Sequence, residues 1–485
     1  MKTTKKAVAV ILALIMLFAC SGNAFATDTA KEKWDEAWQT KKNEINSAVT
    51  MFPGSDEYSR SVAWYSESDE GYVLVTGENS TEKFPAKAKK TAQGDYRLSS
   101  TLENLNEGTY TYKCFSGNYE SETYSFTVEN SDEVFTAMYV TDIHVSESDD
   151  NYSLCDEAYR TNLTFSAASE KAKANGDSLD LVLSAGDQAS LGLRSEYAGL
   201  SANEFTKSIP LATSIGNHDR KSVDYKYYTA LPNESQLIKF KSYIGTDYWF
   251  RQGDVLFLMF DSNNASMAGH RYFAMDAVAK NKDCKWRVGV FHHDLYGGRI
   301  PHRESENAFL RFMWANIADE FGLDLCLLGH SHYYTMSNVL YCNKTVESIE
   351  GKSSVTDPKG TVYMVSGSIN HPRDVLDGDG NVPPVGENIG YSYLTSEMIY
   401  NLLEFRNDSI TIKSYTVESD EMINTFTINK TDKKGGHNYV SPLTFLDPLV
   451  HFVSRIVNII NNVSMYEKYK DQGHDVGFFE GLIGS

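Results

Sequence analysis

The sequence predicts an all-β domain followed by an α/β domain, and three observations support this fold class. Residues 56–130 contain short runs in which apolar and polar residues alternate, separated by Gly, Asn, Asp and Ser, which is typical of a β-sandwich. From residue 134 onward, apolar strands alternate with helical stretches, which indicates α/β architecture. The length of 485 residues is too great for one ordinary domain.

The N-terminus has the pattern of an export signal. The basic stretch MKTTKK precedes the apolar run AVAVILALIMLF, and NAFA ends in a small-x-small cleavage pattern. We therefore expect residues 1–26 to be a cleaved signal peptide and the protein to be secreted. The alternative is a lipoprotein anchored at Cys20, in the stretch LFAC. No apolar run reaches the length of about 18 residues that a spanning helix needs, so we expect no transmembrane helix.

The remaining segments follow in order along the chain. Residues 27–55 are predicted to form a short helix or tether, residues 56–132 the β-sandwich and residues 133–430 the α/β domain. Residues 431–485 form a C-terminal appendage. Within it, residues 445–463 have the spacing of an amphipathic helix, which would either dock on the protein or associate with another surface or a membrane.

The composition argues against several classes of function. A formal net charge of −20 disfavours a basic nucleic-acid-binding face and electrostatic docking on anionic lipid. Five cysteines remain after the signal segment, and no two of them are close in sequence. This pattern indicates neither a disulfide scaffold nor a thiolate zinc site, and it leaves the pairing of up to two bridges open.

Five predicted strands end in clusters of His, Asp and Asn. The clusters are TDIH (Asp142, His144), AGDQ (Asp187), GNHD (Asn217, His218, Asp219), FHHD (His292, His293) and GHSH (His330, His332). In open α/β sheets, ligands bind outside the carboxyl ends of the strands. One such cluster could be an ordinary turn, but five in order, each closing an apolar run, predict a single site.

The residue types in these clusters predict a metal site. Imidazole and carboxylate together suit Zn, Fe or Mn, whereas an all-oxygen Ca or Mg site is not indicated. The Asp-x-His and His-x-His spacings would place alternate side chains on the same face of a strand. The glycines that precede Asp187, Asn217 and His330 allow the backbone to turn tightly as it leaves the sheet.

The motif order D-x-H, GD, GNHD, H and GHxH resembles that of the calcineurin-like metallophosphoesterases. The preceding sandwich is similar to the fibronectin type III-like domain that purple acid phosphatases carry before their catalytic domain. The resemblance covers about residues 56–430. For the second domain it implies a metallophosphoesterase fold, a two-sheet αββα sandwich.

In that family the site holds two metal ions, and the resemblance implies which residues would bind them here. The first ion would take Asp142, His144, Asp187 and His332, and the second would take Asp187, Asn217, His292 and His330. Asp187 would bridge two ions about 3.5–4 Å apart, so His330 and His332 would serve different ions. The ions would be Fe, Zn or Mn. His293 would then face the substrate.

The resemblance also implies the reaction. A hydroxide that bridges the ions would attack phosphorus, and His218 would hydrogen-bond the phosphoryl oxygens or protonate the leaving alkoxide. Asp219 would either orient His218 or be a simple turn residue. Arg220 and Arg303 are candidate phosphate-binding residues, with solvated surface arginines as the alternative. Purple acid phosphatases have a metal-binding tyrosine three residues after the Asp of the Gly-Asp motif; here that residue is Ser190, so we do not expect a purple protein.

The expected function is therefore that of an exported enzyme that hydrolyses small phosphate monoesters. Phosphodiesterase activity on nucleotides or glycerophosphodiesters is the first alternative, because the pocket loops decide between the two. A binding or adhesion protein with a degenerate hydrolase domain is the second alternative. Against it, all seven candidate metal ligands and His218 are present.

Overall fold

The computed structural model describes residues 29–39, 42–131, 134–147, 152–235, 244–296, 304–372, 382, 385–431 and 449. The predicted signal peptide, Arg303 and nearly all of the predicted C-terminal appendage lie outside these residues. None of the helices in the described ranges is both long and apolar enough to cross a membrane. The five cysteines from Cys114 onward are free thiols.

Two antiparallel sheets form the N-terminal part of the structure. Their strands are β1 (Thr50–Pro53), β2 (Arg60–Ser66), β3 (Gly71–Thr76), β4 (Thr81–Pro85), β5 (Lys87–Lys90), β6 (Tyr96–Leu102), β7 (Gly108–Ser116), β8 (Tyr119–Glu120) and β9 (Tyr124–Val128). One sheet has the order β1-β2-β6-β5, and the other has the order β4-β3-β7-β8 with β9 also paired to β7. The first strand begins N-terminal to residue 56, inside the segment expected to be a helix or tether.

A buried apolar cluster joins these two sheets. Along β9, Tyr124, Phe126 and Val128 are buried while the residues between them are exposed, because successive side chains of a strand point to opposite faces. Trp64 of β2 is fully buried, and its indole nitrogen donates a hydrogen bond to Ser116 Oγ of β7 at 3.1 Å. In β9, the alternation in the sequence therefore corresponds to one buried face and one exposed face, whereas every residue of β2 is buried.

Two seven-stranded sheets form the second part of the structure. Together with a small hairpin, their strands are β10 (Val134–Val140), β11 (Leu181–Ser184), β12 (Leu211–Thr213), β13 (Tyr248–Gln252), β14 (Val255–Met259), β15 (Trp286–Val290), β16 (Leu325–Leu328), β17 (Tyr334–Ser337), β18 (Val339–Tyr341), β19 (Lys344–Glu347), β20 (Ser354–Thr356), β21 (Val362–Val365), β22 (Ile389–Tyr393), β23 (Ile399–Arg406), β24 (Ser409–Thr416) and β25 (Met422–Asn429). The first sheet has the order β12-β11-β10-β23-β24-β25-β20, and the second has the order β13-β14-β15-β16-β21-β17-β22. Strands β18 and β19 form the hairpin.

Helices lie outside the sheets. They are α1 (29–39), α2 (Lys42–Ser47), α3 (Leu154–Ala174), α4 (Arg194–Ser201), α5 (Phe205–Ser208), α6 (Asp224–Tyr228), α7 (Met267–Lys280) and α8 (Glu304–Phe321). Phe165 of α3 packs in the apolar cluster of the first sheet, and Trp314 of α8 packs in that of the second. Between the sheets, the rings of Phe135 and Phe257 meet edge to face at 6.3 Å. The α/β architecture predicted from the sequence is confirmed, and its layers are helix, sheet, sheet and helix.

The five polar clusters lie at one end of the two sheets. Strands β10, β11 and β12 run parallel in the first sheet, and β14, β15 and β16 run parallel in the second. The clusters follow the carboxyl ends of β10, β11, β12, β15 and β16. Because parallel strands present their carboxyl ends at the same edge of a sheet, the two sheets bring all five clusters together.

Candidate metal centre

Five candidate ligands adopt a backbone conformation that residues other than glycine rarely adopt. Asp142, His144, Asp187, His330 and His332 have φ angles between 49° and 74°. Such left-handed conformations cost about 1–3 kcal/mol each and concentrate at functional sites. The Asp-x-His and His-x-His pairs were expected to lie on pleated strands, but the structure places them just beyond the strand ends. Left-handed turns, rather than the strand pleat, direct both side chains of each pair into the site.

The first cluster of candidate ligands contains Asp142, His144 and His332, whose ligand atoms lie within 4.8 Å of one another. His144 Nε2 and His332 Nε2 are 3.2 Å apart, and Asp142 Oδ1 lies 3.1 Å from His332 Nε2. Asp142 Oδ1 is buried and has no hydrogen-bond partner in the described part of the chain. Three electron-pair donors therefore converge on one point, where a cation would satisfy all of them.

The second cluster contains Asp187, His292 and His330, again with ligand atoms within 4.8 Å of one another. His292 Nε2 lies 3.1 Å from Asp187 Oδ2 and 3.0 Å from Asn217 Oδ1. The Asp187 carboxylate also lies 3.6 Å from His144 Nε2 of the first cluster. Asp187 therefore stands between the two clusters, which is the place that the resemblance implies for a bridging carboxylate.

Hydrogen bonds behind the site aim two of the imidazoles inward. His292 Nδ1 lies 2.9 Å from Ala185 O, and His332 Nδ1 lies 2.7 Å from His371 O. Because a carbonyl oxygen can only accept, each Nδ1 carries a proton and donates it. In the neutral ring this leaves the lone pair on Nε2, the nitrogen that faces the cluster, as metal-binding histidines require.

The backbone closes tightly around both carboxylates. The amide of His330 donates to Asp142 Oδ2 at 2.8 Å. A Cβ added to Gly329 would lie 2.6 Å from the same oxygen, and a Cβ added to Gly216 would lie 2.0 Å from Asp187 Oδ1. Glycine is required at both positions because the backbone of one loop lies against the carboxylate of another.

Burial and mutual attraction set the protonation states of the site. Burial alone would raise the pKa of the Asp142 and Asp187 carboxyls, but the neighbouring imidazoles, chiefly His332 for the first and His292 for the second, hold both pKa values below their usual range. Burial would lower the pKa of His292, but the two carboxylates raise it to about 9. Burial lowers the pKa of His144 to about 4. The carboxylates therefore stay anionic near neutral pH, and a cation at His292 would displace a proton.

The donor set fits transition-metal ions. Imidazole nitrogens and carboxylate oxygens together are the ligands that Zn, Fe and Mn favour. Each cluster combines a carboxylate with two imidazoles, and an unpartnered buried oxygen points into the first. Each cluster therefore offers the types of donor atom that such a cation needs, close together in space.

His218 borders both clusters. One of its ring nitrogens lies within 4.8 Å of ligand atoms of His144 and Asp187, and the His144 and His218 rings are 4.6 Å apart. Its Nδ1 lies 2.6 Å from Lys221 Nζ and 2.8 Å from Ser190 O. Burial lowers the pKa of His218, and the Asp187 carboxylate, which acts in the opposite direction, does not offset this effect. The ring is therefore neutral at pH 7 and lies where a molecule bound at the clusters would meet it.

The Asp219 carboxylate holds the loops around the site together. It accepts hydrogen bonds from the amides of Gly216 at 2.9 Å and Ala189 at 3.2 Å, and from the Tyr197 hydroxyl at 2.9 Å. None of its hydrogen bonds within the described ranges involves the His218 ring. Of the two roles that the sequence left open, this geometry fits the turn residue and not a direct partner of His218.

A comparison with family models gives a match over residues 135–334, to the calcineurin-like phosphoesterases. Residues 135–334 are a calcineurin-like metallophosphoesterase domain. A purple acid phosphatase from yellow lupin (Lupinus luteus) seeds has a similar structure, with a TM-score of 0.62, 16% identity, and coverage of 79% of this chain and 74% of that chain. The structure of PhoD is also similar, with a TM-score of 0.54, 11% identity, and coverage of 85% and 98%. Curated protein sequences contain no match.

The family match places residues 135–334, the part of the chain that carries both ligand clusters, in the metallophosphoesterase superfamily as a phosphoesterase domain. At these low identities, the two solved structures show a shared fold. The two ligand clusters of this domain are the candidate place for divalent metal ions.

The other residues predicted for the metallophosphoesterase site lie at its edge. The His293 ring packs 4.8 Å from the His330 ring, and His293 Nδ1 lies 2.7 Å from Ser262 Oγ. Arg220 is half-buried, and its guanidinium lies 3.5 Å from Asn263 O. His293 therefore borders the second cluster, while Arg220 lies against the neighbouring loop.

Two residues outside the predicted set of site residues also border the metallophosphoesterase site. The ring of His371 lies 5.0 Å from that of His144, and Lys221 contacts His218. His371 follows β21, which runs parallel to β16, so its place after another parallel strand end was a usable signal. Lys221 follows the GNHD motif by one residue, and a charged residue so close to a motif was the signal in that case.

Proposed function

We propose that the protein hydrolyses phosphate monoesters with two metal ions held at the two clusters. The observation that carries the proposal is the position of Asp187, whose carboxylate lies 3.1 Å from His292 Nε2 of one cluster and 3.6 Å from His144 Nε2 of the other. The first ion would be held by Asp142, His144, Asp187 and His332, and the second by Asp187, Asn217, His292 and His330. Fe, Zn and Mn all suit these ligands.

When bound, the ions would supply Lewis acidity toward the phosphoryl group and toward water. The chain itself supplies charge and position. Asp142 and Asp187 are the only anions among the seven proposed ligands, so a loaded site would keep a net positive charge that attracts a phosphate anion. His218 would donate a hydrogen bond to a phosphoryl oxygen or, in its protonated imidazolium form, give a proton to the leaving alkoxide. His293 would contact the substrate beside the second cluster.

The likeness to a purple acid phosphatase supports a preference for monoesters. The alternative is a preference for phosphodiesters, with nucleotides or glycerophosphodiesters as substrates. Higher activity on diesters would support this alternative over the monoester proposal. The completeness of the ligand set supports catalysis over a binding or adhesion role, because a degenerate site would have lost at least one of the seven residues or His218.

A phosphoester panel combined with elemental analysis tests the proposal. Purified protein, with Zn or Mn added, is assayed on p-nitrophenyl phosphate and bis(p-nitrophenyl) phosphate while its metal content is measured. We expect about two metal equivalents per chain and a higher kcat/KM on the monoester. A higher kcat/KM on the diester would make the protein a phosphodiesterase. Two bound metals without turnover on either ester would favour the binding role, and the variant Asp187→Asn should lose metal in every case.

We also propose that the two N-terminal sheets are a fibronectin type III-like domain, ahead of the metallophosphoesterase domain over residues 133–430. The fibronectin type III-like domain comprises the predicted residues 56–132 and, in addition, strand β1 from Thr50. The antiparallel pairing and shared buried cluster of the two sheets support this. An experimental structure of the protein tests this assignment, because the strand connectivity of its N-terminal domain can be compared with that of fibronectin type III domains. Another order of strands would reject the assignment.

Export is a further part of the proposed function. The basic and apolar segment of residues 1–26 supports secretion, with a lipid anchor at Cys20 as the alternative. Mass spectrometry of the mature N-terminus separates the two, because the secreted form would begin at Thr27 and the anchored form at a lipid-modified Cys20. The C-terminal appendage of residues 431–485 would then either dock on the protein or associate with a surface or membrane.

A further inference from the structure

The loop that follows β21 lies against the turn that carries two ligands of the first cluster. This SINH loop comprises residues 368–371, and the turn carries Asp142 and His144. Asn370 Nδ2 donates a hydrogen bond to Ile143 O at 2.8 Å, and the amide of Asn370 donates to the same oxygen at 3.3 Å. The Asn370 side chain is only 5% exposed. A buried side chain from a separate loop therefore holds the carbonyl group that lies between the two ligands.

The contacts of the Asn370 amide fix its orientation. A carbonyl oxygen can only accept a hydrogen bond, and a guanidinium nitrogen can only donate one. Asn370 Nδ2 faces Ile143 O, whereas Asn370 Oδ1 accepts from Arg160 Nε of α3 at 3.2 Å. Exchanging the nitrogen and the oxygen would bring two acceptors together at Ile143 and two donors together at Arg160. The side chain therefore joins the ligand turn to α3 with both of its polar ends matched.

Other residues of the SINH loop contact the same cluster. Ser368 Oγ donates to Asp142 O at 2.5 Å and accepts from the His371 amide at 3.0 Å. The carbonyl oxygen of His371 lies 2.7 Å from Nδ1 of His332, the third ligand of the first cluster. One loop therefore contacts both the ligand turn and the remaining histidine of this cluster.

The ligand turn needs support from outside itself. Asp142 and His144 have φ angles of 49° and 53°, and such a conformation persists only where the surrounding structure holds it. Ser368 and Asn370 supply hydrogen bonds to carbonyl groups within this turn. In the portion of the chain that the structure describes, neither of them hydrogen-bonds a ligand of the second cluster. The support from these two residues is therefore directed at the first cluster.

We propose that Asn370 is a positioning residue for the ion of the first cluster and not for the ion of the second. The inference rests on the proposed function, in which each cluster holds one metal ion. By holding Ile143 O, Asn370 keeps the Asp142 carboxylate and the His144 ring directed at one point. Hydrogen-bonding groups behind metal ligands commonly account for about 10- to 100-fold of the affinity for the metal.

Calorimetric titration of the metal-free protein with zinc tests this role. Asn370→Asp keeps the size of the side chain and its acceptor toward Arg160, but it places an oxygen opposite Ile143 O. We expect the natural sequence to bind two zinc ions. Asn370→Asp should bind one of them about 10- to 100-fold more weakly and the other with unchanged affinity.

A second variant and a matched control accompany this measurement. Ser368→Ala removes a different hydrogen bond of the SINH loop to the same turn, so it should weaken the same ion. Asn281→Asp is the control, because Asn281 is also buried, at 3% exposed, and its Nδ2 donates to Ala277 O at 2.8 Å at the end of α7. It should bind both zinc ions as the natural sequence does.

Two backgrounds identify the ion that is affected. His330→Ala removes a ligand of the second cluster alone, and His332→Ala removes a ligand of the first cluster alone. Asn370→Asp should weaken the remaining zinc ion in the His330→Ala background and have no effect in the His332→Ala background. An equal effect in both backgrounds would mean a general effect on the fold and would overturn the proposal, as would no effect in either.

Thermal unfolding shows whether each variant is folded. If Asn370→Asp does not unfold cooperatively, Ser368→Ala is measured in the same two backgrounds, and the same outcomes support or overturn the proposal. If the zinc-loaded protein hydrolyses no phosphoester, the proposed function fails, while the titrations still decide the role of Asn370. If the protein hydrolyses phosphoesters and Asn370→Asp weakens neither ion, only the inference about Asn370 fails. A natural sequence that binds neither zinc nor manganese would overturn both.

Discussion

Replacing Gly216 with alanine should disable the metallophosphoesterase site without altering any ligand. A Cβ on residue 216 would lie 2.0 Å from Asp187 Oδ1 and 2.7 Å from Asp187 Cγ. Non-bonded heavy atoms prefer separations of about 3.5–4.0 Å, so the carboxylate must move by more than about 1 Å. It now lies 3.1 Å from His292 Nε2 and 3.6 Å from His144 Nε2, so a shift of this size alters both clusters.

The expected magnitude follows from the size of this shift. A misplacement of about 1 Å costs about 100-fold in rate, and overpacking costs about 1–3 kcal/mol of unfolding free energy. We therefore expect Gly216→Ala to lose at least about 100-fold in kcat/KM and to lose metal, while it still unfolds cooperatively. The assays are p-nitrophenyl phosphate hydrolysis, elemental analysis and thermal unfolding.

The variant Gly289→Ala is the matched control, because it adds a Cβ in β15 that lies 2.8 Å from Leu323 Cδ1, the flexible end of an apolar side chain. It should lower the unfolding temperature and keep metal content and activity. Full metal content and unchanged turnover in Gly216→Ala would refute the reasoning that the loop backbone sets the position of Asp187.

Three further predictions follow. The variant His218→Ala should lose about 10²–10⁴-fold in rate while its metal content persists, and unchanged turnover would remove His218 from the mechanism. Burial would lower the pKa of His270, but Asp247, 2.6 Å away, raises this pKa above its usual value. The stability that the His270–Asp247 pair contributes is therefore present below about pH 6.5 and is lost as the pH rises through the raised pKa. The loss of unfolding free energy in His270→Gln should therefore be about 3 kcal/mol at low pH and smaller at high pH, and a constant difference in thermal unfolding across that range would contradict the assignment. Because Ser190 stands where purple acid phosphatases have a tyrosine ligand, the iron-loaded protein should show no visible tyrosinate absorption, and a purple protein would mean that another side chain provides it.

The position of the site could be predicted because the signals for it are local in sequence. Each polar cluster directly follows an apolar strand, and parallel strands must present their carboxyl ends at a common edge. The ligand types within the clusters then indicated metals from coordination chemistry alone. The residues that form the two clusters, including Asp142, Asp187 and His292, were therefore accessible without coordinates.

The orientation of the ligands could not be predicted in the same way. Asp142 and His144 were expected to share a strand face, but they lie beyond the strand in left-handed turns with φ angles of 49° and 53°. Nothing within two or three residues specifies that conformation. Contacts with other loops stabilise this conformation. For example, the amide of His144 donates a hydrogen bond to Asp187 O in the neighbouring strand-end loop at 2.9 Å.

The amino-acid sequence by itself determined which residue types stand at which strand ends, and with them the α/β class and the metal-binding character of the site. Those properties follow from hydrophobic periodicity and ligand chemistry, which act between near neighbours in the chain. Only the tertiary structure decided how closely Asp187 approaches His292 and His144, which loop amides Asp219 binds, and that Lys221 faces a histidine ring. These are contacts among separate loops, and their geometry depends on how two sheets pack, which no local pattern encodes.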